Sequence, residues 1–491
     1  MEPTASPRRS ALASGFLTAT SLAVVTGLSA VIGIVIAREF GRGPETDGFF
    51  AAYSVFLVLV LVGTAMRVAV IPPLARARTA GTFGRELGSY AAALAVLTIP
   101  ALLLALLADD WVAGLLTGGL PDVSQAVAAE TLRFVIPAAI AQIYAALAAS
   151  ALAAYDSYGS AAAGYAAGSI GGLALILLLV DEHGISAVAW GMLLNGAIAL
   201  AIPLLVLARR APLASLRAHA VAARLVELAS AVSLPLVLQG LFVVCVRFVS
   251  ELGTGAVTSF TYAYLVAAGL VAVTASSLGL VSSAPLARGA LTDRRATEHI
   301  VRTSWLAFAA VAAAAGVFAL VGDRVVGSVL GSDYSGDTGN ELGRLIALLG
   351  LWMAASVGVT ISFPLLFVAA RERLLPAIAV AALALHVALA WAAVRAWELD
   401  GAALALTVTT LAVLVAVLAL LSSGVLKAAG RGLGLAALAT GGLAAVAFGV
   451  LDLVLGAVLA AVLGLAVFVA LLLVTRSLGL QQAWAYLRAL E

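Results

Sequence analysis

The chain has 491 residues, of which 63% are apolar and only 11% charged, against about 25% charged in an ordinary soluble domain. So little charge cannot cover the surface of a chain this long in water, and a formal net charge of +2 gives no footing for nucleic acid. The composition excludes a soluble globular protein and calls for lipid as solvent. A helix crosses the hydrocarbon core in about 20 apolar residues. Only helices and closed barrels satisfy every backbone amide there, and long unbroken apolar runs favour helices over the alternating strands of a barrel.

Residues 1–10, with Arg8 and Arg9, form a cytoplasmic N-terminus. The apolar run 11–37 exceeds the about 7–15 residues of a signal-peptide core and is read as a retained first span. Further spans are expected at 49–72, 88–107, 126–154, 159–180 and 186–208, closing an N-lobe of six spans over 11–208. Within it Arg67 lies in the inner third of the second span. A guanidinium inside a span is expensive and marks a candidate site for an anion, against the alternative of snorkelling to the headgroups. In the fourth span Arg133 is expected to pair with Glu130, three residues earlier. Gln142 and Tyr144 are mid-span polar groups that line a cavity or bond a neighbouring helix, as is Asn195 in the sixth. Gly164 and Gly168 form a GxxxG in the fifth, a mark of close helix packing.

A cytoplasmic linker, 209–225, leads to a C-lobe over 226–422, with spans at 226–250, 257–281, 303–322, 342–369, 376–394 and 401–422. Gln239 and Arg247 are its cavity candidates, although Glu251 stands at i+4 from Arg247 for an ion pair. His386, mid-span in the eleventh helix, is a candidate for proton coupling, against a neutral ring bonded to a neighbour. Thr407, Thr409 and Thr410 are expected to bond their own backbone. Spans 13 and 14 follow over 423–474 (432–450 and 454–474), and 475–491 reads as an interfacial tail. Cys245 is the single cysteine, and the four histidines have no ligand-like spacing, so no metal or cofactor is expected.

Arginine placement fixes sidedness. With the N-terminus inside, inner segments hold 19 of the 27 basic residues, the outer ones five (Arg38, Arg42, Arg324, Arg344 and Arg395), and spans the remaining three. This follows the positive-inside rule and gives 14 spans, N-in and C-in. Arg38 with Asp47 is expected to shape the first outer turn. The longest outer connections, 108–125 and 323–341, have only about 20 residues. With no paired-carboxylate, Ser/His/Asp or phosphate-loop arrangement, an enzyme is not expected.

Phe49-Phe50-Ala51-Ala52-Tyr53 with Pro73-Leu74-Ala75-Arg76 is echoed by Phe260-Thr261-Tyr262-Ala263-Tyr264 with Pro285-Leu286-Ala287-Arg288, 212 residues on. Each pair opens and closes the second span of a six-span block, so the two blocks form a parallel repeat. The fold class is therefore an all-α membrane protein with two parallel-repeat lobes, spans 1–6 and 7–12, plus spans 13–14.

Several stretches resemble the MurJ (MviN) lipid II flippase family of the multidrug/oligosaccharidyl-lipid/polysaccharide exporter superfamily. They are Ala37-Arg38-Glu39-Phe40-Gly41, Thr46 to Tyr53, Ile71-Pro72-Pro73-Leu74, Leu132 to Pro137, Ala153 to Tyr158, Gly184 to Gly191, and Gly255 to Ala263. The resemblance implies two lobes around a central cavity in the cytoplasmic membrane. It implies alternating access that carries an undecaprenyl-diphosphate saccharide outward, with membrane lipids and cell-wall synthesis proteins as partners. The sequence departs from the family pattern in three places. Ile32 and Gly33 stand where the first span has a basic-acidic pair, Leu57-Val58-Leu59-Val60 where the second has paired arginines, and Tyr264-Leu265 where the eighth has Asp-Arg. No central carboxylate stands on the seventh, eleventh or twelfth span, so sodium coupling is not expected. Two other readings stay open: export of another lipid-linked polysaccharide unit or small molecule on the same fold, and a non-transporting paralogue that scaffolds envelope synthesis.

Overall fold

The computed structural model describes residues 25, 27–155, 157, 159–211, 216–276, 292–369 and 371–474. The expected N-terminus, the start of the first span, Asp156 and Tyr158, the Pro285–Arg288 motif and the C-terminal tail lie outside them. Among the described residues every regular element is helical, and twelve helices are long and apolar enough to cross a membrane. The chain packs as two compact units. Unit 1 runs to Val243 and includes Gly253–Gly255; unit 2 holds Val244–Leu252 and the chain from Ala256 onward.

Unit 1 contains α1 (27–40), α2 (Pro44–Thr79), α3 (Phe83–Leu107), α4 (Asp109–Thr117), α5 (Asp122–Ala153), α6 (Gly159–His183), α7 (Ser186–Arg210) and α8 (Val221–Val249) as far as Val243. Local chemistry sets the ends of α2. Pro44 occupies its first turn, where a missing N–H costs nothing. Glu45 and Asp47 follow at the positive end of the helix dipole, and Arg76 and Arg78 sit at the negative end. The central helix is α5, whose residues 145–153 are all buried. Along it run Met66, Val70 and Leu74 of α2, one helical turn apart, against Ile143, Leu147 and Ala151. The glycine face of α6 packs on α7 as expected: a Cβ on Gly168 would lie 2.6 Å from the Asn195 carbonyl oxygen.

Unit 2 contains α9 (Ala256–Val271), α10 (Asp293–Leu330), α11 (Asp337–Val368), α12 (Leu375–Leu421), α13 (Ser423–Asp452) and α14 (Ala457–Val474). The repeated aromatic segments open α2 in one unit and α9 in the other, and both are buried. Phe49 stacks on Tyr53 at 5.8 Å, whereas Tyr262 meets Tyr334 edge-on at 5.3 Å.

The 47-residue α12 would be about 70 Å long if straight. It is not straight. Trp397 and Glu398 leave helical geometry, with Glu398 at φ 50°, ψ −128°, a region essentially reserved for glycine. In a straight helix residues 386 and 409 would be about 35 Å apart, yet His386 Nδ1 lies 2.9 Å from Thr409 Oγ1. The two halves of α12 therefore fold back on each other about residues 397–398, and each is long enough to cross a bilayer.

Three expectations are corrected, and one gains partners. The connection 108–125 contains α4, and much of 323–341 is the end of α10, which bends at Val321 rather than stopping near 322. Arg133 pairs with Asp109 of α4 at 2.5 Å, not with Glu130. A charge 24 positions back is invisible to helix spacing. At the first outer turn, where Arg38 with Asp47 was expected, Asp47 also accepts the backbone N–H of Gly255 and Arg42 donates to the Gly255 carbonyl, at 2.9 Å. Thr407 bonds its own helix at Ala403, but Thr409 turns to His386, and among the described residues buried Thr410 Oγ1 makes no hydrogen bond.

Candidate functional site

In unit 1 the α2–α5 seam places Arg67 next to Met66, one position round from the buried ridge. Its side chain is half-buried. Its Nε is shut off from solvent and makes no hydrogen bond, and among the described residues no carboxylate pairs with it. Removing one partner from a buried donor costs about 1–3 kcal/mol, more for a charged group. This guanidinium is therefore a standing cost to the fold and a ready donor for an anion. The phenol of Tyr165 on α6 lies within its electrostatic reach. Gly63, one turn before Arg67, sits against α5: a Cβ there would be 3.6 Å from the Gln142 carbonyl oxygen. The close approach brings Gln142, whose amide is half-buried, to the same seam.

The other sequence candidates are held differently. Tyr144 turns to α3 and donates to the Ala91 carbonyl at 3.4 Å. Asn195 is part of the α6–α7 contact, its Oδ1 against Gly168 and its Cβ against Gly172. Gln239 is half-buried on α8. Arg247 donates to Glu251 at 2.9 Å, one turn on. Tyr165 was missed by sequence reading, since a tyrosine in an apolar span carries no signal until its neighbour is known.

In unit 2 the sole cysteine and His386 meet. His386 is fully buried, with Nε2 at 3.3 Å from Cys245 Sγ on α8 and Nδ1 at 2.9 Å from Thr409 Oγ1. Cys245 Sγ lies 3.7 Å from the Ala402 carbonyl. Three chain segments thus converge on one imidazole. Among the described residues no group of three His, Cys, Asp or Glu is arranged to hold a metal ion.

One more charged cluster was not legible beforehand. Arg224 at the start of α8 bridges Glu86 of α3 at 2.6 Å and Glu227 at 2.5 Å, and its guanidinium caps the Tyr90 ring at 5.1 Å. Beside it the chain lies on α3. The backbone N–H of His219 donates to Ser89 Oγ at 3.2 Å, and a Cβ on Gly88 would be 2.8 Å from the Arg217 nitrogen. The end of the expected linker is therefore clasped to α3.

A sequence profile for the family described as lipid II flippase MurJ matches residues 36–472. No curated protein matches the chain. Among solved structures, the fold is similar to that of a lipid II flippase MurJ in an inward closed conformation, with TM-score 0.70 and 14% identity over 94% of this chain and 99% of that one. It is also similar to an inward-facing multidrug resistance MATE family transporter of the MOP superfamily (TM-score 0.62, 14% identity, 84% and 98% covered). A third is a MOP superfamily transporter from Pyrococcus furiosus (TM-score 0.59, 14% identity, 87% and 96% covered).

Proposed function

We propose, from the premise that this chain belongs to the MurJ lipid II flippase family, that it moves an undecaprenyl-diphosphate saccharide from the inner to the outer leaflet by alternating access. The cargo is not chemically altered. One observation supports the site assignment: a half-buried arginine, Arg67, whose Nε makes no hydrogen bond among the described residues. A diphosphate brings the anionic oxygens that a guanidinium fork takes up, with Tyr165 and Gln142 as neutral donors beside it. In this reading Arg67 takes the part of the family arginines that are replaced at Leu57–Val60 and Tyr264–Leu265.

The accompanying topology has fourteen crossings. The twelve spanning helices are joined by α1 with the residues before it, and α12 counts twice. In this reading the lobes are 11–208 and 226–422, with 423–474 appended, both termini inside, and the protein in the cytoplasmic membrane. Gln239, Asn195 and Tyr144 are polar groups near the path, and Arg247 belongs to an ion pair at its edge.

The replaced family arginines favour a second reading, in which the cargo is another lipid-linked polysaccharide unit. One experiment separates them. A host depleted of its own lipid II flippase receives this chain, Arg67→Ala or Arg67→Lys. Growth restored by the unaltered chain, lost with alanine and partly kept with lysine, is the expected result. Normal membrane expression with no rescue by the unaltered chain shifts the cargo to the second reading.

A further inference from the structure

We infer that His386, with Cys245 and Thr409, forms a one-proton site in unit 2 through which transport is coupled to proton movement; this rests on the transporter reading above. The geometry carries the argument. A neutral imidazole offers one donor and one acceptor, and an imidazolium offers two donors. A site suited only to the neutral ring would set a pure donor against one nitrogen, and that donor would repel the added proton. Neither partner here is of that kind. The Cys245 thiol and the Thr409 hydroxyl can each give or take a hydrogen bond.

In the neutral state one ring nitrogen donates and the other accepts, in either tautomer. When a proton is added, Nε2–H donates to Cys245 Sγ at 3.3 Å and Nδ1–H to Thr409 Oγ1 at 2.9 Å. The displaced protons have places to go. The thiol turns to the Ala402 carbonyl, 3.7 Å away, and the threonine hydroxyl to the carbonyl of its own preceding turn. No bond between heavy atoms forms or breaks. One proton enters, the one partner hydrogen that had pointed at the ring rotates away (the thiol's in one tautomer, the threonine's in the other), and both ring nitrogens keep their neighbours. Cys245 is the titratable side chain that faces the ring from α8.

The position links charge state to shape. The ring joins the two folded-back halves of α12 to α8, so a change in its charge acts on three segments at once. A hydrogen-bonded histidine placed only for packing would leave the transport cycle indifferent to pH. With one proton per cycle, inward proton movement would drive outward cargo movement. A gradient of one pH unit is worth about 1.4 kcal/mol, about tenfold in the cargo distribution.

Two measurements test this. In the first, ring nitrogens of the full-length protein in lipid nanodiscs are labelled with nitrogen-15, and the His386 signals are identified by their loss in His386→Gln. A change from neutral to imidazolium pattern as the pH is lowered is expected; a neutral pattern at every pH at which the protein stays folded overturns the proton site. In the second, proteoliposomes report the movement of a fluorescent undecaprenyl-diphosphate saccharide with and without an imposed pH gradient. The gradient should shift the distribution of the probe by up to about tenfold, and His386→Gln should abolish the shift while leaving movement without a gradient. Thr409→Ser should retain the shift and Thr409→Val should reduce it. An unchanged shift in His386→Gln overturns the coupling. If the unaltered chain moves no probe under either condition, the flippase reading fails, and the nitrogen titration still decides the proton site.

Discussion

The carboxylate of Asp47, in the first turn of α2, accepts the backbone N–H of Gly255, 208 positions further along the chain. Arg42 closes the same loop through the Gly255 carbonyl. Gly255 has φ +86°, and a Cβ there would lie 2.5 Å from Arg42 Nε. A charge-assisted bond to a carboxylate contributes about 1.5–3 kcal/mol. Asp47→Ala should therefore lower thermal stability in detergent by about that amount, with Asp47→Asn in between. Gly255→Ala should lose about 1–2 kcal/mol through its left-handed backbone and the crowded arginine. Equal melting temperatures for Gly255→Ala and the unaltered chain would rule the strain out.

Arg67 should show the opposite sign. Replacing an orphan buried donor with an apolar group of similar length removes a cost rather than a contact. Arg67→Met should raise stability by about 1 kcal/mol while it abolishes rescue in the depleted host. A variant that loses both stability and function would mean that the guanidinium holds the fold together.

The clasp on α3 makes a third prediction. Arg224 is half-buried between Glu86 and Glu227, and removing it leaves the largely buried Glu86 carboxylate without its partner, which is costly. Arg224→Ala should destabilise by about 2–4 kcal/mol and quicken tryptic cleavage after Arg217, whose backbone lies on Gly88. Gly88→Val should speed the same cleavage with the ion pairs intact, because it pushes the chain off α3. If cleavage at Arg217 is unchanged in both, the linker is not held there.

Much of the fold could be read from the chain, and the reasons are local. Apolar length alone gives the helices. The GxxxG at Gly164 and Gly168 gives a close-packing face, whose partner α7 only the fold supplies, and i,i+4 spacing gives Arg247 with Glu251. What stayed hidden depends on partners brought from elsewhere. Asp109 could not be matched to Arg133 because α4, nine residues long, has too little periodicity to stand out from a loop. His386 was recognisable as a polar intruder. Its partners Cys245 and Thr409 were not, since one lies 141 positions away and the other becomes a neighbour only after α12 turns. Arg67 was legible as a charge in a span, but that its Nε makes no hydrogen bond among the described residues could be known only with the neighbouring helices in place.

Glu398 gives a fourth prediction. Its φ of 50° with ψ of −128° is a glycine conformation held by a side-chain residue. Glu398→Gly should stabilise the protein by about 1 kcal/mol and Glu398→Val should destabilise it by more, read as melting temperature. Stabilisation by valine would refute the backbone assignment.

The reversal in α12 also bears on how the protein is made. The insertion machinery meets a 47-residue apolar stretch in which Arg395, Glu398 and Asp400 are the charges that interrupt it. Nothing in the rest of that stretch tells a nascent chain where to stop and return. Those three side chains and the bend beside them mark the point where the stretch reverses, ahead of the last fifth of the molecule. Neutralising all three would be expected to misdirect every segment that follows, a failure of biosynthesis that no assay on correctly assembled protein would detect.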